Sequence, residues 1–185
     1  MIELYVFGVS LGISKTETHT LLLKEVAGSK YLMIEIGYSE AQSIAIQLEQ
    51  KKVPRPLIYD VIVNLVSNLN VAIERIVIDK LQDGIFFSKL VYRMGVHVLQ
   101  SDCRPSDGVA IAVRCGCPIF VSEEVLTVAM QQRLAIKTKK LADMTYEELK
   151  QEMQLAAERE DYKQALLCKE EIIKRSTNNE EKNPN

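Results

Sequence analysis

Ser39-Glu40-Ala41-Gln42-Ser43-Ile44-Ala45-Ile46 has a counterpart in Ser106-Asp107-Gly108-Val109-Ala110-Ile111-Ala112-Val113, 67 residues further on. Each octet opens with a serine and an acid and continues with small and apolar residues at helical spacing. The same offset of 67 sets Glu35 over Asp102. The offset then becomes 64, with Pro54 over Pro118 and Asp60-Val61 over Glu124-Val125. The change falls at a helix exit, where insertions are tolerated. The chain therefore reads as an internal duplication. Acids paired at equivalent places are the strongest part of the match.

Strand-like runs precede each octet. Glu3 to Val9 and Thr20 to Val26 are rich in β-branched and large apolar residues, and a turn at Ala27-Gly28-Ser29 leads into Lys30 to Gly37. The second half offers Val71 to Leu81, a turn at Gln82-Asp83-Gly84, then Ile85 to Arg93 and Val96 to Cys103. The helices read as Ser39 to Lys51, Leu57 to Leu69, Ser106 to Arg114 and Glu123 to Gln132, with a short extended run at Cys117 to Val121. Leu57, Val61, Leu65 and Leu69 share one face of the second helix. The fold class is α+β: a duplicated strand-strand-helix unit over residues 1–132. A lysine-bearing linker is expected at 133–145, an amphipathic helical hairpin at 146–175, and a polar, disordered tail at 176–185.

Composition narrows the function. In 185 residues, 47 % are apolar and 26 % charged, a globular mix with a formal net charge of −2. That balance argues against tight nonspecific duplex binding. Trp is absent and aromatics are only 6 %, which argues against an aromatic base-stacking platform. No apolar run reaches the roughly 20 residues that span a bilayer. Met1-Ile2-Glu3 does not open like a signal peptide. Cys103, Cys115, Cys117 and Cys168 lack zinc-site spacing and are expected as free thiols in a reducing, cytoplasmic setting.

Chemistry concentrates in Asp102-Cys103-Arg104-Pro105-Ser106-Asp107. Two carboxylates flank an arginine where a strand ends and a helix begins. Asp102, Asp107 and Glu40 could converge on magnesium or manganese, which needs hard oxygen donors and could activate water. Arg104 could grip a phosphate bidentately, with Arg55, presented between Pro54 and Pro56, as a second phosphate contact. Glu35 and Asp60 are further first-half contributors. A structural reading fits the same residues. Ser39 and Ser106 would be N-caps, Glu40 and Asp107 would sit in first turns where the helix dipole favours an anion, and Arg104 would pair with its neighbours. His19 and His97 stand isolated in strands, so neither reads as a catalytic base.

These residues bring a resemblance with them. Residues 1 to about 130 resemble the bacterial bifunctional nuclease family. The similarity rests on Ile36-Gly37 with Glu40-Ala41, Pro54-Arg55-Pro56-Leu57 with Asp60, and Asp83-Gly84 with Phe86. It rests most on Arg104-Pro105-Ser106-Asp107, then Ala110-Ile111-Ala112, Arg114 and Pro118-Ile119-Phe120-Val121. The resemblance implies a sheet wrapping around a helix, a homo-oligomer, for which a dimer is favoured, and hydrolysis of DNA or RNA; the site expected for that reaction is the strand-helix connection with Asp102, Arg104 and Asp107. Ile58-Tyr59-Asp60 stands where the family usually has threonine, histidine and aspartate. Residues 146–175 resemble the UVR helical hairpin of the excision-repair proteins UvrB and UvrC, through Leu149, Met153, Ala156-Ala157, Tyr162, Ala165 and Ile172. That likeness implies a protein partner. It leaves a second function in view, a non-catalytic oligomeric adaptor that recruits its partner through this hairpin.

Overall fold

The computed structural model describes residues 1–10, 19–158 and 161–180. These divide into two compact units, Met1–Met130 and Gln131–Asn185.

The first unit alternates strands and helices. Strands β1 (Ile2–Ser10), β2 (His19–Glu25) and β3 (Tyr31–Ile36) lead into helices α1 (Tyr38–Leu48) and α2 (Ile58–Asn68). Strands β4 (Val71–Gln82), β5 (Ile85–Met94) and β6 (His97–Cys103) lead into α3 (Pro105–Cys115), β7 (Ile119–Val121) and α4 (Glu123–Asp143). The order of three strands then a helix thus occurs twice. The halves differ afterwards, because β7 has no strand counterpart at Pro54-Arg55-Pro56.

All seven strands form one curled sheet in the order β3-β2-β1-β7-β4-β5-β6. The three-residue strand β7 joins the halves, running antiparallel to β1 and parallel to β4. The β4–β5 hairpin turns at Asp83 and Gly84, both at positive φ, the conformation that an aspartate-glycine turn supplies. One face of the sheet carries α1, α2 and α3. Helix α3 is the central one: Pro105, Ser106 and every residue from Gly108 to Ala112 are buried. Gly108 permits its close approach to the sheet, since a Cβ there would lie 3.0 Å from Ile76 Cγ2 and 3.3 Å from Cys103 Sγ. Leu21, Leu23, Leu32, Ile44, Ile76, Ile78, Val109 and Val121 complete the packing, fully or almost fully buried.

The face of α2 that carries Leu57, Val61, Leu65 and Leu69 is open to solvent: Leu57 is half-buried and the other three are 49 to 63 % exposed, whereas Tyr59 is buried. Two expectations need correction. The stretch expected as a linker is helical: α4 continues through Asp143, because no glycine or proline interrupts the chain between Pro118 and Pro184. The tail is likewise helical as far as Glu180, the last residue of α6 (Tyr162–Glu180). Positions 181–185 lie outside the described residues.

In the second unit, α5 (Tyr146–Glu158) and α6 pack through Leu149 and Cys168, with Leu141, Met153, Leu167 and Ile172 around them. Gln164 Nε2 donates to Glu152 Oε1 at 3.4 Å across the pair. All four cysteines are free thiols, and no helix among the described residues is long and apolar enough to cross a membrane.

Each unit keeps its own core, the larger drawn from Leu4 to Leu126 and the smaller from Leu141 to Cys168. Deleting everything after residue 143 should therefore leave the first unit folded. Calorimetry of the shortened and full chains should show its melting transition moving by less than about 4 °C, the shift that about 1 kcal/mol makes at this size.

Candidate functional site

Glu40 and Asp107 are each the third residue of a helix, in α1 and α3 respectively. The helices begin one residue before the serines expected as caps. Gly37 and Arg104 hold the extended cap conformation, and Ser39 and Ser106 fall inside the first turn. At α3 the reason is Pro105, whose fixed φ suits the first helical position.

Arg104 links the two acids. Its Nε donates to Asp107 Oδ2 at 2.8 Å, and its Nη2 donates to Glu40 Oε1 at 2.7 Å and to Asp107 Oδ1 at 3.2 Å. A third group arrives from α2: the Tyr59 hydroxyl donates to Asp107 Oδ1 at 2.6 Å. Both oxygens of Asp107 are thereby engaged. The Arg104 side chain is 69 % exposed while those of Glu40 and Asp107 are 13 and 25 % exposed. The guanidinium is therefore the group that incoming solute meets first.

Electrostatics fix the protonation states. Burial, then the hydrogen bond to Asp107 and the negative charges of Asp107 and Glu40, push the Tyr59 phenol well above its ordinary range. It remains a neutral proton donor. Hydrogen bonding and attraction to Asp107, reinforced by Glu40, hold Arg104 protonated.

Beneath this cluster lies a second one. The Arg114 side chain, only 4 % exposed, donates through Nε to Asp60 Oδ1 at 2.6 Å. Its Nη1 donates to the Ala110 carbonyl at 2.8 Å and its Nη2 to Ser43 Oγ at 3.0 Å. The guanidinium carbon stands 5.5 Å from the centroid of the Tyr59 ring. Asp60 also accepts from the Leu57 backbone N–H at 2.7 Å. Burial opposes ionisation of Asp60, but Arg114 and the Leu57 N–H outweigh it and hold the carboxyl below its usual range.

Of the residues singled out from the sequence, Glu40, Arg104 and Asp107 come together. Asp102 does not join them. Cys103 faces α3, with its Sγ 3.3 Å from Ser88 Oγ, so the preceding residue points to the other side of the sheet. Asp102 is exposed there, opposite Lys89. Glu35 is also exposed, and it lies between the inward-facing Ile34 and Ile36. Arg55 is exposed in the segment between α1 and α2. Asp60 is bound into the Arg114 cluster.

The metal expectation meets the same geometry. Among the described residues no group of three or more His, Cys, Asp or Glu side chains is placed to hold a metal ion. Asp102 faces away, and Arg104 occupies the carboxylates of Asp107 and Glu40. The residues present do not fit a magnesium or manganese cage.

Two contributors were missed in the site reading. Arg114 lies two helical turns after Asp107, so the spacing placed it on the same face. Tyr59 gave a signal only through the family resemblance, since it stands where histidine is usual; by pattern alone a tyrosine on an amphipathic helix reads equally well as core.

The bifunctional nuclease domain matches residues 21–133, which span both clusters. The chain belongs to the bifunctional nuclease domain family. An uncharacterised protein of Mycobacterium tuberculosis is 43 % identical over 109 residues, 59 % of this chain and 65 % of that protein. The bifunctional nuclease 1 of rice, Oryza sativa subsp. indica, is 30 % identical over 112 residues, 58 % of this chain and 34 % of the rice protein. A bifunctional nuclease of Oryza minuta matches to the same extent. The chain thus spans less than two thirds of the length of these relatives.

The Arg114 cluster of this bifunctional nuclease domain makes a sharp expectation for stability. Arg114→Met strands Asp60, whose side chain is 28 % exposed, and should cost about 2–3 kcal/mol at pH 7 in urea unfolding. Because the Asp60 pKa is lowered on folding, its contribution is complete above the unfolded value of about 4 and fades as pH falls below it. The gap between wild type and Arg114→Met should accordingly narrow below about pH 4.

Proposed function

We propose that the first unit hydrolyses phosphodiester bonds of DNA or RNA, with Arg104 and Asp107 as the catalytic residues. The observation that carries this reading is the exposed Arg104 guanidinium, set across two helix-borne carboxylates within a bifunctional nuclease domain. A guanidinium matches two phosphate oxygens at once and stabilises the charge that develops on them during attack. When phosphate takes Arg104, Asp107 is released from part of its ion pair. The carboxylate can then orient a water and accept its proton as the water oxygen bonds to phosphorus and the P–O bond to the leaving group breaks, the leaving oxygen taking a proton from solvent, while the Tyr59 hydroxyl keeps the carboxylate in place. Glu40 holds Arg104 from the α1 side. The four free thiols suit a reducing, cytoplasmic compartment.

Asp107→Asn keeps the shape and the helix start but loses the proton acceptor. Its cleavage of labelled single- and double-stranded DNA and RNA should fall at least about 100-fold, with thermal stability close to wild type. The comparison is made in EDTA and with magnesium or manganese added, in whichever condition the wild-type chain cleaves. Equal cleavage by a folded Asp107→Asn would reject the site.

A second reading, the oligomeric adaptor, draws on apolar residues left in solvent. Leu155, Leu166 and Ile173 of α5 and α6 are 42 to 55 % exposed, the kind of surface a UVR-like hairpin would offer a protein partner. On α2 the exposed stripe of Ile58, Val61, Leu65 and Leu69 suits pairing with a second copy. Leu65→Glu should convert a dimer to monomers in sedimentation velocity without loss of helical circular dichroism. An adaptor would show partner capture and oligomerisation but no cleavage under any of the conditions above.

A further inference from the structure

The outer face of the sheet, opposite the helices, carries a cluster that the clusters around Arg104 and Arg114 do not use. Tyr5 on β1 is register partner to Lys24 on β2, and Lys24 is register partner to Tyr31 on β3, so the three form a row across adjacent strands. A shift in pairing between Val6 and Gly8 sets Phe7 beside this row. The Phe7 and Tyr31 rings meet edge to face with centroids 5.6 Å apart, and Tyr5 lies 6.5 Å from Phe7. Lys24 Nζ stands 5.6 Å from the Phe7 centroid and 5.4 Å from that of Tyr31. Tyr5 and Phe7 are 42 and 54 % exposed, whereas Leu21, Leu23 and Leu32 on the opposite face are completely or almost completely buried. Scarce aromatics argued against a stacking platform, yet folding gathers two of the seven tyrosines and one of the four phenylalanines on one open face.

We infer that this face binds single-stranded nucleic acid, its rings stacking on unpaired bases and Lys24 meeting the backbone phosphate. The arrangement supplies both things such a strand requires, open π-faces on neighbouring strands and a cation among them. A duplex keeps its base faces stacked and cannot use the rings. Charge selects against a protein partner. The ammonium sits at the centre of the patch, where protein interfaces are depleted of charge and would have to desolvate it, while a phosphate neutralises it. The choice of occupant rests on the nuclease reading of the same unit. The platform and the Arg104 cluster lie on opposite faces of the sheet, so substitutions can separate them.

The test is fluorescence anisotropy of the full chain in EDTA, with labelled oligo(dT) and oligo(U) of about a dozen nucleotides and a duplex of the same length. Gels of each probe confirm that it stays intact. Wild type should bind the single strands more tightly than the duplex. Phe7→Ala and Tyr31→Ala should each weaken that binding at least about fivefold. Phe7→Leu, which keeps an apolar surface but has no ring, should weaken it as much as Phe7→Ala. Lys24→Gln should reduce the salt dependence by about one phosphate contact. Melting curves verify that each variant is folded. Single-strand binding unaffected by Phe7→Ala and Tyr31→Ala, equal binding of duplex and single strand, no binding by wild type, or variants that alter the oligomeric state and not the affinity would each overturn the inference. Wild type that binds as described yet cleaves nothing would remove the nuclease reading and leave the platform standing. Cleavage by wild type, with platform variants that bind and cleave as wild type does, would do the reverse.

Discussion

The buried guanidinium of Arg114 is the contact on which the candidate site depends. It belongs to α3, yet it bonds Ser43 of α1 and Asp60 of α2 and lies against the Tyr59 ring. A nearly buried arginine is tolerable only when its donors are satisfied and its charge is paired, and here Asp60, Ser43 and Ala110 do both. Apolar packing could hold three helices together, but it would not set their rotation. A charged fork with four placed bonds does. Rotation then decides whether the Tyr59 hydroxyl reaches Asp107 and whether Glu40 and Asp107 stand close enough for one arginine to bridge them.

Much of this was legible from the residues, because the signals were periodic or local. Alternation and β-branched runs located the strands, the repeated octets located α1 and α3, and Arg104-Pro105-Ser106-Asp107 marked the place where the acids meet. What remained hidden depended on tertiary direction. The run His97–Cys103 is exposed along nearly its whole length as an edge strand, so its sequence carries no alternation from which to tell that Asp102 and Asp107 lie on different sides. The α2 stripe had the right period for a core helix. The face that turns inward is instead the one bearing Tyr59, whose partners come from α3. Polar composition between Arg133 and Asp143 looked like a linker, although helix propensity and the absence of breakers favoured continuation of α4.

The sheet gives its two faces different chemistry. The helix-bearing face is apolar at its centre and brings ionic groups together where Arg104 meets the starts of α1 and α3 and where Arg114, in the last turn of α3, meets the start of α2. The opposite face gathers rings around a lysine. A bulge and a register row are enough to build the second arrangement, which is why overall composition did not foreshadow it. Averages over a chain constrain net charge well but say little about where a few large side chains are concentrated.

The same local device serves different ends along the chain, and this separates scaffold from site. Asp60, Glu148, Glu40 and Asp107 all occupy the third position of a helix, where the dipole favours a carboxylate. Asp60 returns to the N–H of its own cap residue, Leu57, at 2.7 Å, and Glu148 does the same to Thr145 at 2.7 Å. These two close their own helix ends. Glu40 and Asp107 turn instead toward Arg104, a residue that projects into solvent. A carboxylate that completes its own helix cap is accounted for by helix stability. Two such carboxylates drawn to one exposed guanidinium are not, and it is on them that the proposed phosphate contact rests.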